Sequence, residues 1–128
     1  DEVVGQQHVV RTLRNAVELF AAEHDGKYPD ANLVQQLTEF SNSIGTVFST
    51  TKNAGAGLVY GPYLKEIPPL PVGTKKDATG IHVTSTSTDT PPQGAATDGW
   101  WYNSATQTFR ANLPATDVDD DGTAYNTY

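Results

Sequence analysis

The residues best suited to chemistry form the run Asp117-Val118-Asp119-Asp120-Asp121-Gly122. Carboxylates at positions 1, 3 and 5 followed by glycine at 6 match the first half of a calcium loop, in which hard oxygen ligands converge and glycine permits a sharp turn. The next ligand in such a loop is a main-chain carbonyl, here that of Thr123. An EF-hand also requires a bidentate Glu at position 12, where this chain has Tyr128. The run is therefore not an EF-hand. It is expected to be a shorter calcium site formed by Asp117, Asp119, Asp121 and Thr123 and completed by Asn112, a backbone carbonyl or water. The competing reading is an acidic, disordered tail. Four carboxylates so close together repel one another without a cation or protonation, which favours the ion wherever the loop is ordered.

Other chemistry is sparse. The histidines His8, His24 and His82 have no HxxxH or HxH spacing, and His8 and His24, on a helix with polar neighbours, are expected to be solvated. Cysteine is absent, which removes thiolate nucleophiles, disulfides and cysteine-ligated metals. There is no GxSxG, no P-loop and no dinucleotide fingerprint. Gly55-Ala56-Gly57 lacks both a following helix and a basic residue to meet a phosphate. No catalytic residue is expected and the chain is not read as an enzyme; a pocket holding His82 beside two carboxylates would reverse that.

The elements that position the acidic run follow from patterning. Val3, Val10, Leu13, Val17 and Phe20 recur at spacings of 7, 3, 4 and 3, widened by Val9 and Ala16, which predicts an amphipathic helix over 1–24. No Ser or Thr caps its start, so it is expected to be the second half of a longer helix. The helix should end at Asp25-Gly26 before Pro29. Asp30 should cap a short helix over 31–40, with a long surface loop from Ser41 to Leu58. Pro68, Pro69 and Pro71 predict an extended strap without ladder donors, covering apolar surface with Tyr63, Leu64, Ile67 and Leu70. Ile81 to Thr84 should form a strand, and Trp100 to Asn103 with Thr108 to Ala111 an antiparallel hairpin. Trp100 and Trp101 must then face opposite ways.

The 128 residues bound one domain. It divides into helix (1–25), short helix, loops and strap (26–80), and sheet with the acidic loop (81–128). The expected fold class is α+β, a long helix packed on a small antiparallel sheet. A net charge of -7 excludes nucleic acid as partner and disfavours acidic membrane surfaces. No stretch approaches the ~18 apolar residues of a membrane span.

The order of these segments carries a resemblance. The amphipathic helix ending in His24-Asp25-Gly26-Lys27-Tyr28-Pro29, then Tyr60-Gly61-Pro62-Tyr63-Leu64-Lys65-Glu66-Ile67-Pro68, then Gly99-Trp100-Trp101-Tyr102-Asn103 with Phe109-Arg110-Ala111-Asn112, resembles type IV pilin-like proteins. The nearest likeness is to the major pseudopilins of bacterial type II secretion systems. The resemblance implies a methylated N-terminus on an apolar half-helix that spans the inner membrane before assembly and fills the filament core afterwards. The head would lie in the periplasm. It implies self-assembly into a helical filament that drives folded proteins outward, with other pseudopilins and secretion-system membrane proteins as partners. It also implies a calcium ion near the C-terminus, in the part of the chain holding Asp117, Asp119 and Asp121. The family's prepilin cleavage motif is not among the 128 residues, and adhesive pilins usually close this region with a disulfide, which this chain cannot form. A minor pseudopilin, a pilin of surface attachment and a calcium-dependent extracellular binding module are the alternatives.

Overall fold

The structure, a computed structural model, describes residues 2–128, with side chains from Val4 onward. The expected helix start at Asp1 and the side chain of Val3 lie outside the described residues. The chain is α+β. Helix α1 spans Glu2–Glu23 and buries Val10, Leu13, Ala16, Val17, Phe20 and Ala21 along one row. Spacings of three and four residues keep that row on one side of the helix. The row is longer than its apolar members suggest, because Gln6 and His24 extend it at 0% and 3% exposure. At the C-terminal end Asp25 (φ 57°) and Gly26 (φ 81°) turn left-handed. The Gly26 amide then reaches the Ala21 carbonyl at 2.8 Å, which satisfies an orphan acceptor of the last turn.

The chain, α1 included, divides into two compact units, Arg14–Ile67 and Asp1–Leu13 with Pro68–Tyr128. In the first, helix α2 spans only Leu33–Thr38, not 31–40. The Asp30 carboxylate accepts from the Asn32 amide at 3.0 Å, a local turn that delays the helix. Phe40 belongs instead to strand β1 (Phe40–Ser41), antiparallel to β2 (Phe48–Ser49). The span from Ser41 to Leu58 is thus a short ribbon and a single 3-10 turn, Ala54–Ala56, capped by the Asn53 side chain. Asn42 closes the ribbon by accepting from the amides of Thr46 (2.8 Å) and Val47 (3.3 Å). Gly45 is obligatory there: its φ is 70°, and a Cβ would lie 2.8 Å from the Phe20 ring.

His24 corrects the expectation of a solvated imidazole. Its Nδ1 is 2.6 Å from the Phe20 carbonyl, its Nε2 is 3.0 Å from the Ser41 hydroxyl, and its ring stacks on Phe20 at 3.8 Å. Both nitrogens have partners, so burial leaves no polar group orphaned.

In the second unit strands β3 (Ile81–Thr84), β4 (Trp100–Asn103) and β5 (Thr108–Ala111) form one sheet in that order. The hairpin β4–β5 is antiparallel, as expected, but β3 and β4 run parallel, pairing Ile81 with Trp100 and Thr84 with Asn103. The sheet is therefore mixed. The segment 85–99 is long enough to return the chain to the starting edge, which a parallel pair requires. All of β4 is buried, so both tryptophans are covered although they face opposite ways. The Trp100 indole donates to the Pro68 carbonyl at 2.8 Å, which anchors the proline strap. That strap is not free of pairing: the Leu70 amide donates to Ala78 and its carbonyl accepts from Asp77. Leu70 and Val72 are buried, whereas Tyr63, Leu64 and Ile67 are only half-buried. No helix among the described residues is long and apolar enough to cross a membrane.

Candidate metal site

The acidic run is an ordered hairpin. Val118 bridges Ala124, the Asp119 amide donates to the Thr123 carbonyl at 2.9 Å, and the Tyr125 amide donates to the Asp117 carbonyl at 3.0 Å. Gly122 (φ 83°) makes the turn, as its place after the third carboxylate predicts. The chain then closes with a 3-10 turn, Tyr125–Thr127, over the buried Tyr125.

Within this hairpin the carboxylates have different partners. Asp117 reaches out of the loop: its Oδ2 accepts from the Thr74 amide at 2.9 Å and the Thr74 hydroxyl at 2.7 Å. Gly73 makes that approach possible, since a Cβ there would lie 2.5 Å from Leu113 and 3.1 Å from the same carboxylate. Asp119 turns inward. Its Oδ1 accepts from the amides of Asp121 (2.8 Å) and Thr123 (2.9 Å), and its Oδ2 accepts from the Tyr128 phenol in a very short contact. That phenol, then the surrounding amides, hold the Asp119 carboxyl below the ordinary aspartate range, with burial opposing. The same bond, helped by desolvation, pushes the Tyr128 phenol up to about 12. Asp120 and Asp121 are exposed.

Asn112 stands apart from the hairpin. It is fully buried, its Oδ1 accepts from the Gln93 amide at 2.8 Å, and its Nδ2 donates to the carbonyls of Gln93 and Asp98. The structure makes it a clamp on the segment 93–98, not part of the acidic loop. Thr123 is brought to the loop, though its carbonyl already accepts from Asp119. No group of three His, Cys, Asp or Glu side chains is gathered among the described residues in a way that could hold a metal. The Asp121 carboxylate and Oδ1 of Asp117 take no hydrogen bond among the described residues. Sequence reasoning missed Thr74 and Tyr128. A signal existed for the second: Tyr128 occupies position 12, and that position does close the loop, with a donor in place of a ligand.

Among the described residues His82 lies beside one carboxylate. Its Nδ1 is 3.7 Å from Asp98 Oδ2, which also accepts from the Ala95 amide. The close fit of Gly94 fixes the pair, because a Cβ there would sit 2.6 Å from the imidazole. Two shallow clefts, one between Thr74 and Thr97 and one around Arg110 and Asn126, are lined by neither His82 nor the acidic run. No family model, curated protein or solved structure matches the chain.

Proposed function

We propose that this chain is the head of a pilin-like filament subunit, a structural protein of the pseudopilin kind in a type II secretion system. The observation that carries the reading is α1 itself: a 22-residue helix with one continuous buried row, leading into a small sheet and ending in an acidic hairpin. Leu19, at 55% exposure, leaves an apolar side chain off that row for contacts with other copies. Assembly would be head-to-tail and open, since a heterologous contact that does not close yields a helical filament. The head would face the periplasm, with the inner membrane reached through sequence upstream of Asp1.

Calcium belongs to the same proposal. Asp121, Oδ1 of Asp117 and the Thr123 carbonyl supply hard oxygens, and Asp119 would join them by releasing Tyr128; the ion would bind the hairpin ends together electrostatically. The test is fractionation of sheared filaments from cells expressing the full-length product. The chain should be their most abundant subunit, preceded in its gene by ~20 apolar codons. Its absence from filaments, or a polar sequence upstream, would remove the reading.

A further inference from the structure

After β3 the chain reads Thr84-Ser85-Thr86-Ser87-Thr88-Asp89-Thr90-Pro91-Pro92, with hydroxyls at every position but one before a proline pair. Thr84 is buried; Ser85, Thr86, Ser87, Thr88 and Thr90 are exposed. Among the described residues none of these exposed hydroxyls makes a hydrogen bond. Most others in the chain do, including those of Thr12, Thr38, Ser41 and Thr74. The backbone, by contrast, is fastened on both sides. Asn103 Nδ2 donates to the Thr86 carbonyl at 2.9 Å, the Asp89 amide closes a turn onto the same carbonyl, and Asn112 grips Gln93. The result is a held bulge whose five exposed hydroxyls make no hydrogen bond among the described residues, in a composition typical of O-glycosylated segments.

We infer that this bulge is a site of O-linked glycosylation, with one or more of its five exposed hydroxyls as acceptors. The hydroxyl oxygen attacks the anomeric carbon of a phosphate-activated sugar. A new carbon–oxygen bond forms, the bond to the phosphate breaks with its electron pair leaving on the phosphate, and the hydroxyl proton passes to a base of the transferring enzyme. Phosphorylation fits these hydroxyls less well. Each phosphate adds about -1.5 to -2 charges beside Asp89, in a chain already at -7 with no Lys or Arg between Lys76 and Arg110. The inference is independent of the filament reading.

The same lack of basic residues makes the test direct. Trypsin releases residues 77–110 as one peptide from the full-length protein isolated from the cells that naturally make it. Its mass should exceed the sequence mass by whole sugar-residue steps, and electron-transfer fragmentation should place them between Ser85 and Thr90. A variant with alanine at all five hydroxyl positions should lose the steps and keep its circular dichroism and melting temperature. An unmodified peptide, phosphate-sized steps, or sugar placed elsewhere in the peptide would overturn the inference. Localisation on the natural protein decides the matter even if the variant misfolds.

Discussion

The Asp119–Tyr128 contact links both ends of the pH scale to the same hairpin. Asp119 has a lowered folded pKa, so its stabilisation is present above the ordinary value of about 3.9 and is lost as pH falls through the folded value. Tyr128 is raised, so its contribution is complete below about 10 and is lost as pH rises through about 12. Tyr128→Phe should therefore move the Asp119 titration midpoint back toward the ordinary range. Carboxyl-carbon NMR against pH checks this, and an unmoved midpoint would show that the phenol is not the main cause. The same hairpin should respond to calcium. At ten times its dissociation constant the ion adds about 1.4 kcal/mol, magnesium adds less because it sheds water reluctantly, and Asp119→Ala abolishes the difference. Identical melting temperatures with calcium, magnesium and chelator would leave the acidic run as a hairpin held by its own donors. The carboxylates were legible in the sequence because their spacing is local. Thr74 was not, since it meets Asp117 across 43 residues and no short pattern records that encounter.

The elements were readable to the degree that their cause was local. β3 and the β4–β5 hairpin follow from β-branched and aromatic runs, and the buried row of α1 follows from its period. Period identifies a strand but not its neighbour, so the parallel pairing of Ile81 with Trp100 was hidden. The two-residue strands β1 and β2 were hidden too, because Asn42 and the Ser41–Tyr60 bridge hold them and propensity does not. Likewise Gln6 and His24 were invisible as core because their polar character masks their place in the row. The facing of α1 yields a stability ranking: Phe20→Ala should cost about 3 to 5 kcal/mol, while Arg11→Ala should stay within about 0.5 kcal/mol. Equilibrium denaturation in urea measures both, and a reversed order would mean that the helix is rotated. Asn112→Ala should also be costly, by about 0.5 to 1.5 kcal/mol for each hydrogen bond lost, since its partners at Gln93 and Asp98 are half-buried. Because Asn112 clamps 93–98, that loss should be the same with calcium or chelator; a chelator-dependent loss would move Asn112 back into the acidic loop.

For the molecule as a whole, a net charge of -7 means that copies repel at low ionic strength. Self-association should therefore rise when salt shortens the screening length, or when pH approaches 4.6. Static light scattering across a salt and pH series measures it, and association that weakens with salt would point to contacts made by opposite charges. The division into two compact units also decides what can be seen of unfolding. Trp100 and Trp101 are the only tryptophans and both are buried in β4, so their emission should be short in wavelength and should shift red when the sheet opens. The unit Arg14–Ile67 contains no indole. A melt followed by tryptophan emission, excited to the red of tyrosine absorption, is thus a recording of the sheet alone, and the histidine-centred unit, whose fluorophores are Tyr28, Tyr60 and Tyr63, can loosen unseen until an indole is placed within it, for instance by Phe48→Trp in β2.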